Sequence, residues 1–291
     1  MFLVSGPELV IAQCRAGVIG SFPTLNARPI SQLDDWLSEI SEATQTNAPY
    51  AVNLIVHRSN PRLDQDLALC VKHRVPIVIT SLGSQPEINA AVHSYGGLTF
   101  HDVIHNDHAH KAHERGADGL VAVAAGAGGH AGVQSPFALM QEIRRWYNGP
   151  LALSGCIASG RSLLAARILG ADFGYIGSAF IATDEAAASA VYKQMVVDSS
   201  ARDIIYTDRF SGIWGNYLRP SITRMGVDPD DLSEVETKLG LGKPDIEAKA
   251  WRDIWGAGQG IEAVRCVEPT ARLVERLARE FHEAQRQVAA F

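Results

Sequence analysis

The hydrophobic positions in the first two thirds of the chain follow two alternating patterns. Short runs of β-branched and other apolar residues are separated by Ala-rich stretches in which apolar residues recur every three to four positions. The short runs predict buried strands, and the periodic stretches predict amphipathic helices. Because strands that alternate with helices are typical of a parallel sheet with helical crossovers, we expect an α/β fold.

Eight runs qualify as strands of this sheet. They are residues 1–4, 17–21, 50–56, 76–80, 97–102, 119–124, 151–155 and 173–178. Helix start signals lie between them, at Ser31, Pro86, Ser135 with Pro136, and Ser159. Eight such units favour a (β/α)8 TIM barrel over an open doubly wound sheet. Because the first strand would begin at residue 1, we expect either a start inside that strand or further residues before it.

The alternation ends after residue 182. We expect a helix at 184–197, then a long stretch rich in Gly, Pro, Trp and Asp, and finally a charged helix at 270–289. Long segments of this kind in compact folds are usually lids or binding loops. We therefore divide the chain into a barrel at 1–198 and a C-terminal lid-like segment with its terminal helix at 199–291.

The composition argues against several classes of protein. The net charge is −6, and no cluster of Lys and Arg is interleaved with aromatic residues, which argues against binding of nucleic acid. No apolar run reaches the length of a membrane span. The four cysteines are dispersed, which indicates reduced thiols rather than disulfides or a Cys-ligated zinc. We expect a cytoplasmic protein.

One short stretch concentrates small residues around a single imidazole. Residues 124–132 read AAGAGGHAG and would follow the sixth strand. The glycines Gly126, Gly128 and Gly129 would leave room for a flat ligand against bare backbone. His130 would then point into the mouth of the barrel, where the loops after the strands form the active face. A flexible loop with a surface histidine is the alternative.

Glycine-containing turns are also expected after strands seven and eight. These turns read SGCIASG at 154–160 and IGSAFIATDEA at 176–186. Glycine lets backbone N–H groups approach an anion, and a helix N-terminus favours negative charge. Gly155, Gly177 and Ser178 are therefore candidate phosphate ligands, and Cys156 in the same turn as Gly155 joins the cofactor-binding candidates. Tight turns alone would also explain these glycines.

Other side chains are weaker candidates for a substrate pocket. Six of the ten histidines lie between residues 93 and 113. His101 and Asp102 would end the fifth strand at the active face, where His105 could join them. A metal site is the alternative, but the later histidines would spread around a helix, so we expect no metal. The aromatic residues of the late segment could cap a ligand or simply pack; they are Trp214, Tyr217, Trp251 and Trp255.

These stretches together resemble the nitronate monooxygenase family, once called 2-nitropropane dioxygenases. The resemblance is carried by AAGAGGHAG, by LSGCIASGRSLLAARILGADFGYIGSAFIATDEA, by YTDRFSGIWGNYLRPS and by WGAGQG. The family consists of FMN-dependent barrels with enoyl-reductase and quinone-reductase relatives. Here the resemblance implies that His130 is the active-site base. The residues implied to bind FMN are Asn53, Gly128, Gly129, Gly155, Tyr175, Ile176, Gly177 and Ser178.

The resemblance implies oxidation of alkyl nitronates, and also of nitroalkanes, by O2 to carbonyl compounds and nitrite. An FMN-dependent NAD(P)H reductase acting on an enoyl thioester or a quinone is the alternative within the same superfamily. A non-catalytic flavin-binding barrel is the alternative from another class, and His130 argues against it. We expect a small-molecule substrate and O2 as partners. The oligomeric state stays open, with a homodimer as one interpretation.

Overall fold

The computed structural model describes residues 1–233 and 252–290. The strands are β1 (Gly20–Pro23), β2 (Tyr50–Ile55), β3 (Ile77–Ser81), β4 (Leu98–Val103), β5 (Gly119–Val123), β6 (Gly129–His130), β7 (Leu151–Ser154), β8 (Phe173–Tyr175), β9 (Ile204–Thr207) and β10 (Gly215–Leu218). The helices are α1 (Pro7–Arg15), α2 (Ile30–Ala43), α3 (Leu63–Lys72), α4 (Pro86–His93), α5 (Asn106–Glu114), α6 (Pro136–Arg144), α7 (Gly160–Ile168), α8 (Ser178–Ile181), α9 (Ala190–Asp198), α10 (Arg219–Arg224) and α11 (Thr270–Ala289).

Seven parallel strands form the main sheet in the order β1-β2-β3-β4-β5-β7-β8. Its inward-facing side chains form one buried cluster that joins Ala51 of β2 to Ala152 of β7, with Ile79 and Val121 between them. Residues of strands that stand far apart in the sheet order can share one cluster only if the sheet curls around it. This curled parallel sheet with helices outside is the arrangement of a TIM barrel, of which the described residues form seven parallel strands.

The outward-facing residues of the strands are equally apolar because helices cover them. Val52 and Val78 pack with Leu33 and Leu37 of α2 in one cluster, and Leu120 packs with α6 in another. Strands that are buried on both faces have nearly continuous apolar sequences, which is why the short runs were visible in the sequence.

Seven of the eight predicted strands are confirmed, with small shifts of their ends. The prediction of a strand at residues 1–4 is wrong. These residues form a turn in which Ser5 N–H donates to the Met1 carbonyl at 3.0 Å, and Leu3 has a φ of 58°. The Asn26 side chain holds the turn by accepting from Leu3 N–H and by donating to the carbonyls of Met1 and Ser5. The first strand of the sheet is therefore β1.

The predicted helix starts are confirmed at Pro86, Pro136 and Ser159, and α11 has the bounds expected for the terminal helix. The helix α2 begins one residue before Ser31. The helix expected at 184–197 begins later, at Ala190, because Ser189 accepts from Tyr192 N–H and caps it there. Within the described residues, no helix has both the length and the apolar character needed to cross a bilayer.

A second, antiparallel sheet was not predicted. It has the order β6-β10-β9, and it ties the small-residue stretch to the late segment of the chain. In it, Gly215 lies opposite His130, and Asn216 lies opposite Gly129. The late segment is thus fixed directly to the loop that carries the histidine.

Candidate functional site

A cavity of about 570 Å³ opens at the carboxyl ends of the parallel strands. This volume lies in the range of roughly 300–1,000 Å³ that small-molecule and cofactor sites occupy. The strand ends contribute Asn53, Ser81, Asp102, Val123, Ser154 and Tyr175 to its wall. The segments that follow the strands and the later part of the chain contribute Gly126–His130, Gly155–Ala158, Gly177, Ser178, Tyr192, Trp255, Gly256, Gly258 and Gly260. The structure thus places His130 and nearly all of the expected cofactor-binding residues around one space.

The glycines of the 124–132 stretch also serve a packing role that the sequence did not indicate. A Cβ on Gly128 would lie 2.7 Å from the Gly258 nitrogen, and a Cβ on Gly258 would lie 2.6 Å from the Gly126 carbonyl oxygen. Gln259 N–H donates to that same carbonyl at 2.9 Å. The space that we attributed to a flat ligand at Gly126 and Gly128 is therefore partly filled by the backbone around residues 257–259. Both glycines still line the cavity.

The position of His130 is fixed by hydrogen bonds from the late segment. The Asn216 side chain donates to the Ala127 carbonyl at 2.6 Å, and the Tyr206 hydroxyl donates to the Ala131 carbonyl at 2.8 Å. These two contacts flank His130, whose own backbone lies in β6 against β10. The histidine is therefore held by regular pairing and does not lie on a free surface loop.

The hydrogen bonds around Ser211 define the tautomer of His130. The Ser211 hydroxyl lies 3.0 Å from His130 Nε2 and donates to the Ile213 carbonyl at 3.0 Å. A hydroxyl has one hydrogen, so Ser211 must accept at His130, and Nε2 carries the proton. The lone pair of the imidazole then lies on Nδ1. Burial lowers the pKa of His130 to about 4, so the ring is neutral at pH 7.

Three polar side chains form a hydrogen-bonded row at the ends of β2, β3 and β4. The Asn53 amide nitrogen donates to the Ser81 hydroxyl at 2.6 Å and to the Ile79 carbonyl at 3.2 Å. The Ser81 hydroxyl donates to Oδ2 of Asp102. Burial raises the pKa of Asp102 to about 6, with the Ser81 hydrogen bond opposing that rise. Asn53 was expected here from the sequence, and Ser81 and Asp102 join it.

The candidate phosphate ligands differ in their backbone conformations. Gly155 has a φ of +126°, which glycine adopts readily, and Cys156 beside it has a φ of +56°, which is uncommon for a side chain. A Cβ on Gly177 would contact nothing nearer than the Met1 side chain at 3.7 Å, so this backbone faces open space. Ser178 begins α8, and its hydroxyl accepts from Gly258 N–H at 2.8 Å. Ile176 does not line the cavity and packs in the surrounding core.

The N-terminus of α7 is not available for a phosphate. Ser159 forms a capping box with Ser162, and Gly160 N–H donates to the Glu280 carboxylate of α11 at 2.8 Å. This carboxylate occupies the position where an anion would bind a helix N-terminus. Any phosphate contact after β7 must therefore come from the turn at residues 155–157.

Four of the candidate substrate-pocket residues do not line the cavity: His101, His105, Trp214 and Tyr217. His101 is buried on the outer face of β4, where it lies 2.6 Å from the Thr80 hydroxyl, and its neighbour Asp102 points inward instead. His105 caps α5 and stacks on His108. Trp214 is half exposed and stacks on Tyr206. Tyr217 is buried, with its hydroxyl 3.0 Å from that of Ser211. Trp251 lies outside the described residues.

The aromatic wall of the cavity is formed by a different pair. Tyr192 and Trp255 stack with their ring centroids 4.7 Å apart, and both line the cavity. Trp255 was among the aromatic residues considered from the sequence, whereas Tyr192 was not. Because Tyr192 lies in α9, inside a segment that was expected only as a helix, no local signal marked it as a wall residue.

Three arginines, Arg28, Arg62 and Arg252, line the cavity. Arg62 pairs with Asp66 at 2.9 Å, and Arg252 pairs with Asp253 at 3.0 Å. The Arg28 guanidinium group donates to the Leu25 carbonyl at 3.0 Å and lies over the Phe2 ring. The carboxylates of Asp66 and Asp253 offset the charges of Arg62 and Arg252.

Known proteins resemble this chain in sequence and in fold. The family model described as nitronate monooxygenase matches residues 25–280. The nitronate monooxygenase of Paraburkholderia phytofirmans is 27% identical over 99% of this chain and 92% of its own length. Among solved structures, FabK from Thermotoga maritima aligns with a TM-score of 0.83 at 26% identity, covering 100% of this chain and 93% of that one. A nitroalkane oxidase from Streptomyces ansochromogenes has the same fold, with a TM-score of 0.83 at 23% identity, covering 98% of this chain and 94% of that one.

Proposed function

This chain belongs to the nitronate monooxygenase family of flavin enzymes, and from that premise we propose that it is an FMN-dependent oxidoreductase that converts alkyl nitronates and O2 into carbonyl compounds and nitrite. The observation that carries the proposal is the neutral imidazole of His130, which lines the cavity. A nitronate is a preformed anion, so its oxidation needs no strong base. The name of the Paraburkholderia relative supports the same substrate class.

The residues of the cavity fit FMN. Its volume of about 570 Å³ suits a cofactor with a substrate beside it, and its walls are apolar apart from a few convergent polar groups. We assign the flavin ring to the side of Asn53, Gly128, Gly129 and Tyr175. We assign the phosphate to the turns at Gly155, Cys156, Gly177 and Ser178, since these residues line the cavity and the backbone of Gly177 faces open space. Bound FMN would supply the electron acceptor that the substrate reduces and that O2 reoxidises.

In this proposal His130 lies beside the substrate, towards which its ring can act as a weak base but cannot donate a hydrogen bond. With Nε2 donating to Ser211, the ring is held in one orientation and offers Nδ1 as its basic atom. A base whose pKa is about 4 removes a proton from a neutral nitroalkane poorly at pH 7. We therefore assign nitronates as the main substrates and nitroalkanes as poor ones. The C-terminal segment at 199–291 acts as the lid and carries Ser211.

One anaerobic experiment tests the function. Heating the purified protein releases the flavin for identification by chromatography, and FMN is expected rather than FAD. The holoprotein is then mixed with propionate 3-nitronate in one cuvette and with NADH or NADPH in another, and the flavin absorbance is followed. Bleaching by the nitronate supports the proposal. Bleaching by the pyridine nucleotide alone would identify the reductase, and a protein that binds no flavin would contradict both assignments.

A further inference from the structure

The row formed by Asn53, Ser81 and Asp102 has a defined hydrogen-bond direction. The Ser81 hydroxyl has one hydrogen, and an ionised carboxylate can only accept, so Ser81 donates to Asp102 and must accept from Asn53. The other amide hydrogen of Asn53 is used at the Ile79 carbonyl. Both N–H bonds of Asn53 are therefore directed into the wall of the barrel.

The side chain of Asn53 offers an acceptor, and not a donor, to a ligand in the cavity. With both amide hydrogens used, the carbonyl oxygen Oδ1 is the polar atom left for the cavity that Asn53 lines. An amide oxygen accepts hydrogen bonds and does not donate them. The oxidised flavin ring carries several acceptors but has an N–H group at N3, and the reduced ring has a second one at N5. Only an N–H group of the flavin would match Asn53 in this orientation.

The protonation state of Asp102 decides which way the hydrogen bonds between Asn53, Ser81 and Asp102 point. The Oδ1 atom of Asp102 is sealed from solvent and has no hydrogen-bond partner within the described residues. Burial raises its pKa to about 6, and the hydrogen bond from Ser81 opposes that rise. Inside the barrel, the charge of Asp102 acts on Tyr175, and the cavity that both line also contains Arg28, Arg62, His130, Cys156 and Arg252. On the outer face of β4, the helices α4 and α5 carry Glu87, His93, Asp107, His108, His110, Lys111, His113 and Glu114, with His105 at the N-cap of α5. The paired strands β3 and β5 carry no acidic or basic side chain.

We propose that Asp102 is a positioning residue which acts through Ser81 to turn the Asn53 amide, so that Asn53 presents a hydrogen-bond acceptor to an N–H group of the bound flavin ring. The inference rests on the proposed FMN site. Above pH 6 the ionised carboxylate fixes the direction of the row. Below pH 6 the neutral carboxyl can itself donate to Ser81, so the Asn53 orientation is no longer imposed.

Reconstitution with two flavins tests this inference. FMN and N3-methyl-FMN are bound to flavin-depleted wild type, Ser81→Ala and Asp102→Asn proteins, and their dissociation constants are measured by fluorescence at pH 8 and pH 5.5. If N3–H is the partner, methylation weakens binding to wild type at pH 8 by roughly 5- to 100-fold more than binding to Ser81→Ala, because only wild type loses an oriented hydrogen bond. The steric cost of the methyl group and the ionisation of the FMN phosphate affect wild type and Ser81→Ala alike, so they cancel when the two proteins are compared. In wild type, this additional weakening by methylation should be smaller at pH 5.5 than at pH 8. In Asp102→Asn, the weakening by methylation should not depend on pH.

The N5–H group is tested by the reduction potential of bound FMN. An acceptor that binds only the reduced ring raises the potential of wild type above that of Ser81→Ala. Thr80→Val is the matched control because Thr80 lies on the same strand but contacts His101 on the outer face, so it should behave like wild type. Equal methylation penalties together with equal potentials in wild type and Ser81→Ala would overturn the inference. A wild type that binds no FMN would instead overturn the proposed function.

Discussion

The imidazole of His130 and the hydroxyl of Ser211 lie 3.0 Å apart, although 81 residues separate them along the chain. The antiparallel pairing of β6 with β10 brings them together. Because Ser211 also donates to the Ile213 carbonyl, it can only accept from the ring. The late segment therefore sets the tautomer of the proposed active-site residue.

Replacing Ser211 by Ala should lower kcat for nitronates by roughly 3- to 10-fold, the value of one neutral hydrogen bond that orients the ring. Binding of FMN should not change, because Ser211 does not line the cavity. Steady-state kinetics and fluorescence titration measure the two effects. Tyr217→Phe is the control, since it removes a partner of Ser211 and leaves the contact to His130 intact. Equal losses in both variants would point to a general loosening of the segment.

Replacing His130 by Asn tests whether the imidazole acts as a base. A general base contributes about 10² to 10⁴ in rate, but only where a proton must be removed. We expect the variant to keep FMN and to lose a larger share of its activity on a neutral nitroalkane than on preformed nitronate. The rate of the variant is measured on a nitroalkane and on the nitronate derived from it, and each rate is divided by the wild-type rate on the same substrate. Unchanged kinetics on both substrates would mean that His130 has no part in the reaction.

The sequence predicted the parallel sheet because its strands are apolar on both faces. Runs such as 119–124 are readable without knowledge of their neighbours, since helices cover one face and the barrel interior the other. The turn at residues 1–4 is equally apolar, and its conformation depends on the distant Asn26. Composition alone could not separate the two cases.

The site was predicted less completely because its parts depend on contacts between distant segments. The two-residue strand β6 contains Gly129 and His130 and has no periodicity that would mark it as a strand. Gly126 and Gly128 stood out, but the backbone that packs against them, near Gly258, could not be inferred from their own neighbourhood. Ser211 lies in a stretch that carried the family resemblance, and this was the available signal for it.

The buried His101 should make the protein less stable in acid. Burial lowers its pKa to about 4, below the ordinary value of 6.5, so the unfolded chain binds a proton more readily than the folded one. Stability then falls as pH drops from 6.5 towards 4, by about 2 kcal/mol at pH 5. Urea unfolding of wild type and His101→Asn at pH 5 and pH 8 isolates this effect, because other titrating groups cancel in the difference. An identical pH dependence in both proteins would show that His101 accepts its proton freely in the folded state.

Gly155 and Gly177 should respond differently to an added side chain. Gly155 has a φ of +126°, and a Cβ there would lie 3.0 Å from the Ala125 carbonyl oxygen, so Gly155→Ala should lower the stability of the apoprotein by about 1–3 kcal/mol. Gly177 has a φ of −113° and open space at the Cβ position. Gly177→Val should therefore leave the melting temperature of the apoprotein nearly unchanged while it weakens FMN binding, because its side chain would fill the place assigned to the phosphate. Calorimetry of the apoproteins and FMN titration separate the two quantities. If Gly177→Val binds FMN as tightly as wild type, the phosphate lies elsewhere in the cavity.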